Sequence, residues 1–287
     1  MSGAHEFMPQ PLAEHAVLAD GYRGGVCGPR GDIVWMCAPL WHDDAVFSTL
    51  LGGAGAYTVE PVEPFVRGGY YEPRSLIWRH GWVTTSTIVE CREALARPAR
   101  RNEVVLLRRI EAVEREARLR VELDVRAGYG QQPAQDLARC EGGRWTGRCG
   151  RLRMLWSGAR DASADDTGAL RAEVTGPAGE HRDFALQLTT EPVDPALAWQ
   201  RTASTWEREI PRFDHVVAPG DAQHAHAVLR GMTMPGRGMA AAATMALPER
   251  AERGRTTTTA TRGYATSATP GSRRHPPGMT RCWTTTR

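Results

Sequence analysis

Tyr22-Arg23-Gly24-Gly25-Val26-Cys27-Gly28-Pro29-Arg30-Gly31-Asp32-Ile33-Val34-Trp35-Met36-Cys37 reads as one β-hairpin. Apolar runs at 22–27 and 33–37 flank a Pro/Gly/Asp cluster. Proline presets φ for a turn, while Gly and Asp tolerate the backbone conformations that turns require. Working outward, the same signature returns along the chain. Residues 56–62, 76–82 and 84–91 are rich in β-branched and aromatic side chains, as strands prefer. Residues 104–113 and 117–125 form a further expected strand pair. In the second of these, Leu119, Val121, Leu123 and Val125 alternate with Arg120, Glu122, Asp124 and Arg126. That period of two marks a sheet with one wet face. Residues 144–149, 152–156, 170–174 and 181–188 extend the series, and 157–168 is a polar, acidic loop whose Asp165-Asp166 pair reads as solvated. Many short strands separated by turn signals indicate a mainly β sandwich or barrel.

Between the strands, residues 44–51 have the composition of a short helix, with Asp43 and Asp44 as its caps and Gly52-Gly53 as its stop. Gly24-Gly25 and Gly52-Gly53 lack a phosphate-loop context and are read as turns. The character changes after Pro195. Residues 196–209 place Leu197, Trp199, Ala203 and Trp206 near helical spacing, a pattern that belongs to a core face rather than to a sugar platform. Asp221 is a suitable N-cap for a helix over 222–230, and 239–245 is apolar and small. The chain therefore divides into a β part at 12–192, a helical stretch at 193–253 and a tail at 254–287. The tail holds runs of Thr, scattered Arg and no apolar periodicity, which is the composition of a disordered segment.

The 287 residues are 41% hydrophobic and 24% charged, enough for a core of normal size. No apolar run approaches the roughly 20 residues that cross a bilayer, and the N-terminus lacks the pattern of a secretion signal, so the expectation is a cytoplasmic protein with no membrane partner. The formal charge of +3 misleads. The tail carries six Arg and no Asp or Glu, so the body is net acidic and carries no nucleic-acid footprint. Every basic residue is Arg, and Asn occurs once, at Asn102; both biases point to a gene rich in GC. The six cysteines, Cys27, Cys37, Cys91, Cys140, Cys149 and Cys282, form no Cys-x-x-Cys pair and no zinc-ligand spacing with His. They are expected to be reduced thiols, with no metal and no cofactor.

The hairpin and its sequel carry a resemblance. Gly28-Pro29-Arg30-Gly31-Asp32-Ile33-Val34-Trp35-Met36-Cys37-Ala38-Pro39, then Phe47 and Leu50-Leu51-Gly52, resemble the opening of the trehalase-like N-terminal domain of bacterial glycoside hydrolase family 15, the glucoamylases and trehalases. Tyr71-Glu72-Pro73-Arg74-Ser75-Leu76, Leu106-Leu107-Arg108-Arg109-Ile110, Tyr129-Gly130 and 238–249 resemble later family segments in the same order. Trp41-His42 departs from the family's Arg-Phe. The resemblance covers about residues 12–255. It implies a large antiparallel β-sandwich (a supersandwich), then the first helices of an incomplete (α/α)6 barrel.

Beyond Arg255 the family reads Asn-Tyr-Asp-Tyr-Arg-Tyr-x-Trp-x-Arg-Asp, whereas this chain has Thr256-Thr257-Thr258-Thr259-Ala260-Thr261-Arg262-Gly263-Tyr264-Ala265-Thr266. A slip of one base turns each Thr–Thr junction into xAC, a codon for Asn, Tyr, Asp or His. Continued through Thr266, the slipped text can spell Asn-Tyr-Asp-Tyr-Arg-Tyr-Ala-Trp-Leu-Arg-Asp. The expectation is a frameshift near residue 255.

The resemblance implies hydrolysis of trehalose or α-glucans with inversion, by one carboxylic acid and one carboxylate flanking the sugar. It places both, as Glu, downstream of the readable sequence, so no catalytic residue is assigned and the chain as written is expected to be inactive. Trp41, His42 and Asp43 are candidates for the border of a substrate cleft, with packing or a domain interface as the competing role for Trp41 and His42. The α-glucoside is then a partner only of the full-length form. The alternative is a stand-alone sandwich that binds carbohydrate or protein without catalysis.

Overall fold

The computed structural model describes residues 10–176, 178–188, 193–236 and 238–247. The chain runs through β1 (Ala16–Ala19), β2 (Gly24–Cys27), β3 (Asp32–Cys37), β4 (Ala45–Phe47), β5 (Ala56–Pro61), β6 (Phe65–Tyr71), β7 (Trp78–Thr84), β8 (Ile88–Leu95), β9 (Val104–Ala112) and β10 (Ala117–Asp124). A ribbon of β11 (Arg126–Ala127) and β12 (Gln132–Pro133) follows. Then come β13 (Gln135–Cys140), β14 (Arg144–Cys149), β15 (Leu152–Ser157), β16 (Ser163–Ala164), β17 (Leu170–Gly176) and β18 (His181–Leu188). Two helices, α1 (Pro195–Glu209) and α2 (Pro219–Met232), come after the strands.

Two eight-stranded sheets face each other. The first has the order β1-β2-β3-β5-β10-β17-β16, with β4 on β3, and the second β13-β14-β15-β18-β9-β8-β7-β6. Neighbouring strands are antiparallel. Ile33, Tyr57, Leu119, Val121 and Val174 of the first sheet share one core with Trp82, Val89, Ile110, Trp156 and Phe184 of the second. This is the β-sandwich expected from the hairpin and its sequel.

The strand pair expected at 104–113 and 117–125 does not form. β9 pairs with β8 and β18, while β10 pairs with β5 and β17 in the other sheet. Burial gives the physical reason. Val105 and Leu107 of β9 face outward but lie beneath α1, so the strand is apolar on both faces. Arg118 and Arg120 of β10 face water. The edge strands β6 and β13 escape the sequence reading because Gly68-Gly69 and a run of polar residues hide their alternation. The helix expected at 44–51 is instead β4 followed by a single 3-10 turn at Thr49–Leu51, closed by Gly52 in the left-handed region. Ala45, Val46 and Phe47 are all buried, which an isolated exposed helix would not allow. Gly24-Gly25 is likewise no turn but part of β2. A Cβ on Gly24 would stand 2.1 Å from the ring of Trp41, so only glycine lets that ring lie flat on the strand.

Asp194 caps α1 by accepting from Ala196 N at 2.8 Å and Leu197 N at 3.2 Å, and Pro195 occupies the first turn. Arg74 closes the other end by donating to Ile210 O at 2.9 Å. Trp199 and Trp206 are buried, as their spacing requires. They form a second core with Ala94, Val105, Leu107 and Ala185 on the outer face of the second sheet. α2 starts at Pro219, so Asp221 lies in its first turn rather than capping it. Residues 238–247 are turns rather than helix and fold over the hairpin: Trp35 Nε1 donates to Ala243 O at 2.9 Å and Tyr129 OH to Ala246 O at 2.9 Å. Trp35 thus faces away from the sandwich interior, into a third small core with Val26 and Val34. No helix among the described residues is long and apolar enough to cross a membrane. The frameshifted tail expected at 254–287, and Cys282 within it, lie outside the described residues.

Candidate functional site

The loop that follows the hairpin builds the site. Ala38-Pro39 is a cis peptide. Beyond it, Asp43 Oδ2 accepts from Leu40 N at 3.0 Å and Asp43 N donates to Leu40 O at 3.1 Å, which closes a tight turn. Trp41 pins that turn to the sandwich. Its backbone N–H donates to Tyr22 O at 3.0 Å, its indole N–H to Gly21 O at 3.2 Å, and the side chain is fully buried. The anchor leaves His42 and Asp44 exposed and Asp43 half-buried at one end of the sandwich. Arg151, on the turn between β14 and β15, reaches across from the second sheet to Asp43 Oδ1 at 2.9 Å. The bridge ties loops from both sheets together and divides two adjoining clefts of about 430 and 420 Å³. His42, Asp43, Arg151 and Leu152 line both. Asp44, Gln132 and Cys149 line the first, and Arg101 and Asn102 the second.

Of the three residues named from sequence, the fold brings His42 and Asp43 to the clefts and takes Trp41 away from them. Neither Asp43 nor Asp44 caps a helix, because the segment that follows is β4. Sequence reasoning missed Arg151, Gln132 and Gly128, and no local signal marks them; they lie about a hundred residues downstream and meet the loop only through the pairing of the sheets.

The lining presents guanidinium and amide donors, an imidazole and two carboxylates around a half-open hollow. That mixture suits a ligand rich in hydroxyls, each of which donates and accepts. Asp43 already holds Arg151 and the Leu40 amide, which casts it as a positioning group and not as a proton carrier. Burial pushes the Cys149 thiol up to about 12, and the charge of Asp124 adds to this, so it stays protonated and is no nucleophile. Burial, with the charges of Asp44, Cys37 and Asp43, likewise pushes the Tyr129 phenol up to about 12. Among the described residues no three His, Cys, Asp or Glu side chains are grouped to hold a metal ion, and Cys27, Cys37, Cys91, Cys140 and Cys149 are free thiols.

A buried electrostatic cluster lies elsewhere. Arg108 on β9, Glu93 on β8 and His80 on β7 are sealed inside the sandwich. His80 Nδ1 lies 2.8 Å from Glu93 Oε2, and Arg108 pairs with Glu93 Oε1. The remaining donors of Arg108 reach Tyr57 O at 2.8 Å and Gly31 O at 2.5 Å, and His80 Nε2 lies 3.1 Å from Gly28 O. Three strands of one sheet thereby grip the hairpin turn of the other. Buried within the sandwich, the triad touches no substrate; its work is structural. A charged residue at an inward position of the apolar run 104–110 is the one sequence signal that marks it.

The comparisons with known proteins agree with this architecture. The family model described as trehalase-like, N-terminal, matches residues 4–176. No curated protein matches the chain. A crystal structure of a bacterial glucoamylase complexed with acarbose superposes with a TM-score of 0.51 at 10% identity, covering 81% of this chain and 42% of that one. The likeness at that identity is one of fold, and the chain spans less than half of the glucoamylase. The ordered sandwich and the family match over most of its strands lead to one statement: the chain belongs to the trehalase-like N-terminal domain family.

Proposed function

We propose that this chain is the front part of an inverting α-glucoside hydrolase acting on trehalose or α-glucans, with the catalytic carboxylates carried by a helical barrel missing from this reading frame. The observation that carries the reading is the family match over residues 4–176. The tail after Arg255 supports the missing barrel, because a slip of one base lets it spell an aromatic and acidic motif that the written tail lacks. The clefts around His42 and Asp43 would then border the sugar site, with His42, Asp44 and Gln132 binding hydroxyls and the Asp43–Arg151 bridge holding the wall in place.

The test is to sequence the gene across the codons for Arg253 to Thr261, rebuild the other frame, and assay the product on trehalose, maltose and longer α-glucans. The expected result is hydrolysis that releases the inverted anomer, seen by proton NMR, with none from the chain as written. An alternative frame without the motif, or a rebuilt protein inert on all of these substrates, would sink the proposal. A second reading is a stand-alone sandwich that binds carbohydrate or a protein without catalysis. It draws on the way residues 193–236 and 238–247 fold back over both outer faces and bury their own tryptophans and alanines.

A further inference from the structure

The outer face of the second sheet changes character in rows. Nearest to α1, Ala94, Leu107 and Ala185 lie buried beneath it. The next row holds Arg92 and Arg109, with Trp199 of α1 at 5.0 and 5.7 Å from their guanidinium carbons. Then come Gly81, Glu90, Glu111 and His181 in register. The row after that is Val66, Val83, Ile88 and Val113, set side by side: Val66 pairs with Val83, Val83 with Ile88, and Val113 N donates to Ile88 O at 2.8 Å. These four side chains are 74, 53, 37 and 46% exposed. They form an aligned apolar ribbon across four strands, about 14 Å long at the usual strand spacing, and among the described residues nothing covers it.

The neighbouring row is electrostatically incomplete. Glu90 and Glu111 stand directly opposite each other on adjacent strands, an arrangement that costs stability. Arg79 pairs with Glu90, and His181 stands opposite Glu111 on its other side, but no ion pair reaches Glu111 among the described residues. Glu114 and Glu116 are exposed just past the ribbon, with Arg115 the lone cation between them.

We propose that this face docks a basic amphipathic helix presented by a partner protein. The partner is a helix because the sheet's backbone groups are already paired within the sheet, so whatever lies on its face must satisfy its own. α1 already sits on the same face in that way. The partner is basic because cations placed beside its apolar stripe would meet Glu111 and relieve its repulsion with Glu90. The ribbon matches the apolar stripe of about three helical turns. It is too small for a second copy, which needs about 800 Å² per partner.

The probe is a stapled amphipathic peptide of about 14 residues with a leucine stripe flanked by arginines, titrated against the full chain by fluorescence anisotropy. Its control carries glutamates in place of the arginines. The arginine peptide should bind at least about tenfold more tightly, a difference of about 1.4 kcal/mol. Val83→Gln should weaken it about tenfold. Glu111→Gln should weaken it several-fold while slightly raising the melting temperature of the free protein, which a merely structural carboxylate would not do. Equal or absent binding of the two peptides overturns the proposal, as does binding that ignores Val83→Gln. A dimer in sedimentation that Val83→Gln dissolves would assign the face to a second copy and overturn it as well.

Discussion

Replacing Arg108 with Met should destabilise the protein by about 3–5 kcal/mol, the range for removing one member of a buried ion pair. Met nearly fills the space of the lost side chain, so the cost is electrostatic and not that of a cavity. Gly31 O keeps its bond from Val59 N at 3.0 Å, and Glu93 keeps His80 at 2.8 Å. The loss therefore concentrates on Tyr57 O and on a fully buried carboxylate left with His80 and the weak Cys91 thiol donor. Urea unfolding at neutral pH, followed by tryptophan fluorescence, measures it. Glu93→Gln and the double variant complete a cycle in which the double should fall short of the sum by about 0.5–3 kcal/mol. The pH dependence supplies a second readout. Although burial alone would raise the Glu93 pKa, Arg108 and His80 hold it at about 2, below the ordinary 4.5. The unfolded chain then binds the extra proton first, so this contribution is fully present above pH 4.5 and is lost as pH falls towards 2. Arg108→Met should flatten that acid limb. A cost under about 1 kcal/mol, or strictly additive variants, would refute the argument that the triad joins the two sheets.

Other substitutions test separate parts of the structure. Gly24→Ala drives a Cβ into the Trp41 ring and should cost about 1–3 kcal/mol, the range for overpacking, with a changed tryptophan emission; an unchanged denaturation midpoint would mean the ring does not lie there. Trp199→Ala should cost about 3–5 kcal/mol and open residues 193–210 to limited proteolysis, and continued protease resistance would contradict its place under Arg92 and Arg109. Asp43→Asn releases Arg151 from a pair on the surface, so stability should move by less than about 1 kcal/mol. In the rebuilt enzyme the same change should raise KM for α-glucoside while leaving kcat within a few-fold, and an unaltered KM would remove the cleft from the substrate path.

Much of the sandwich is legible in the chain because its strands write their own environment. β10 alternates Leu119, Val121 and Leu123 with charged residues, and the structure buries the first set and wets the second. α1 is legible for the same reason, with Trp199 and Trp206 at helical spacing and both buried in the structure. Errors fall where burial depends on a distant partner. Residues 45–47 resemble a helix start until β3 pairs with them, and Gly24-Gly25 resembles a turn until Trp41 lies on it.

The sequence by itself determined most of the strands, the wet and dry faces of β10, the tryptophan core face of α1 and the resemblance to the family, since each is encoded in spacing and turn chemistry within a few residues. Only the tertiary structure decided which strands share a sheet, so that β9 and β10, four residues apart, part company. It alone brought Arg151 to Asp43 and sealed Arg108, Glu93 and His80 around the hairpin turn. Those contacts join positions up to about a hundred residues apart, where a side chain's neighbours are set by sheet order and register, and no local pattern records either one.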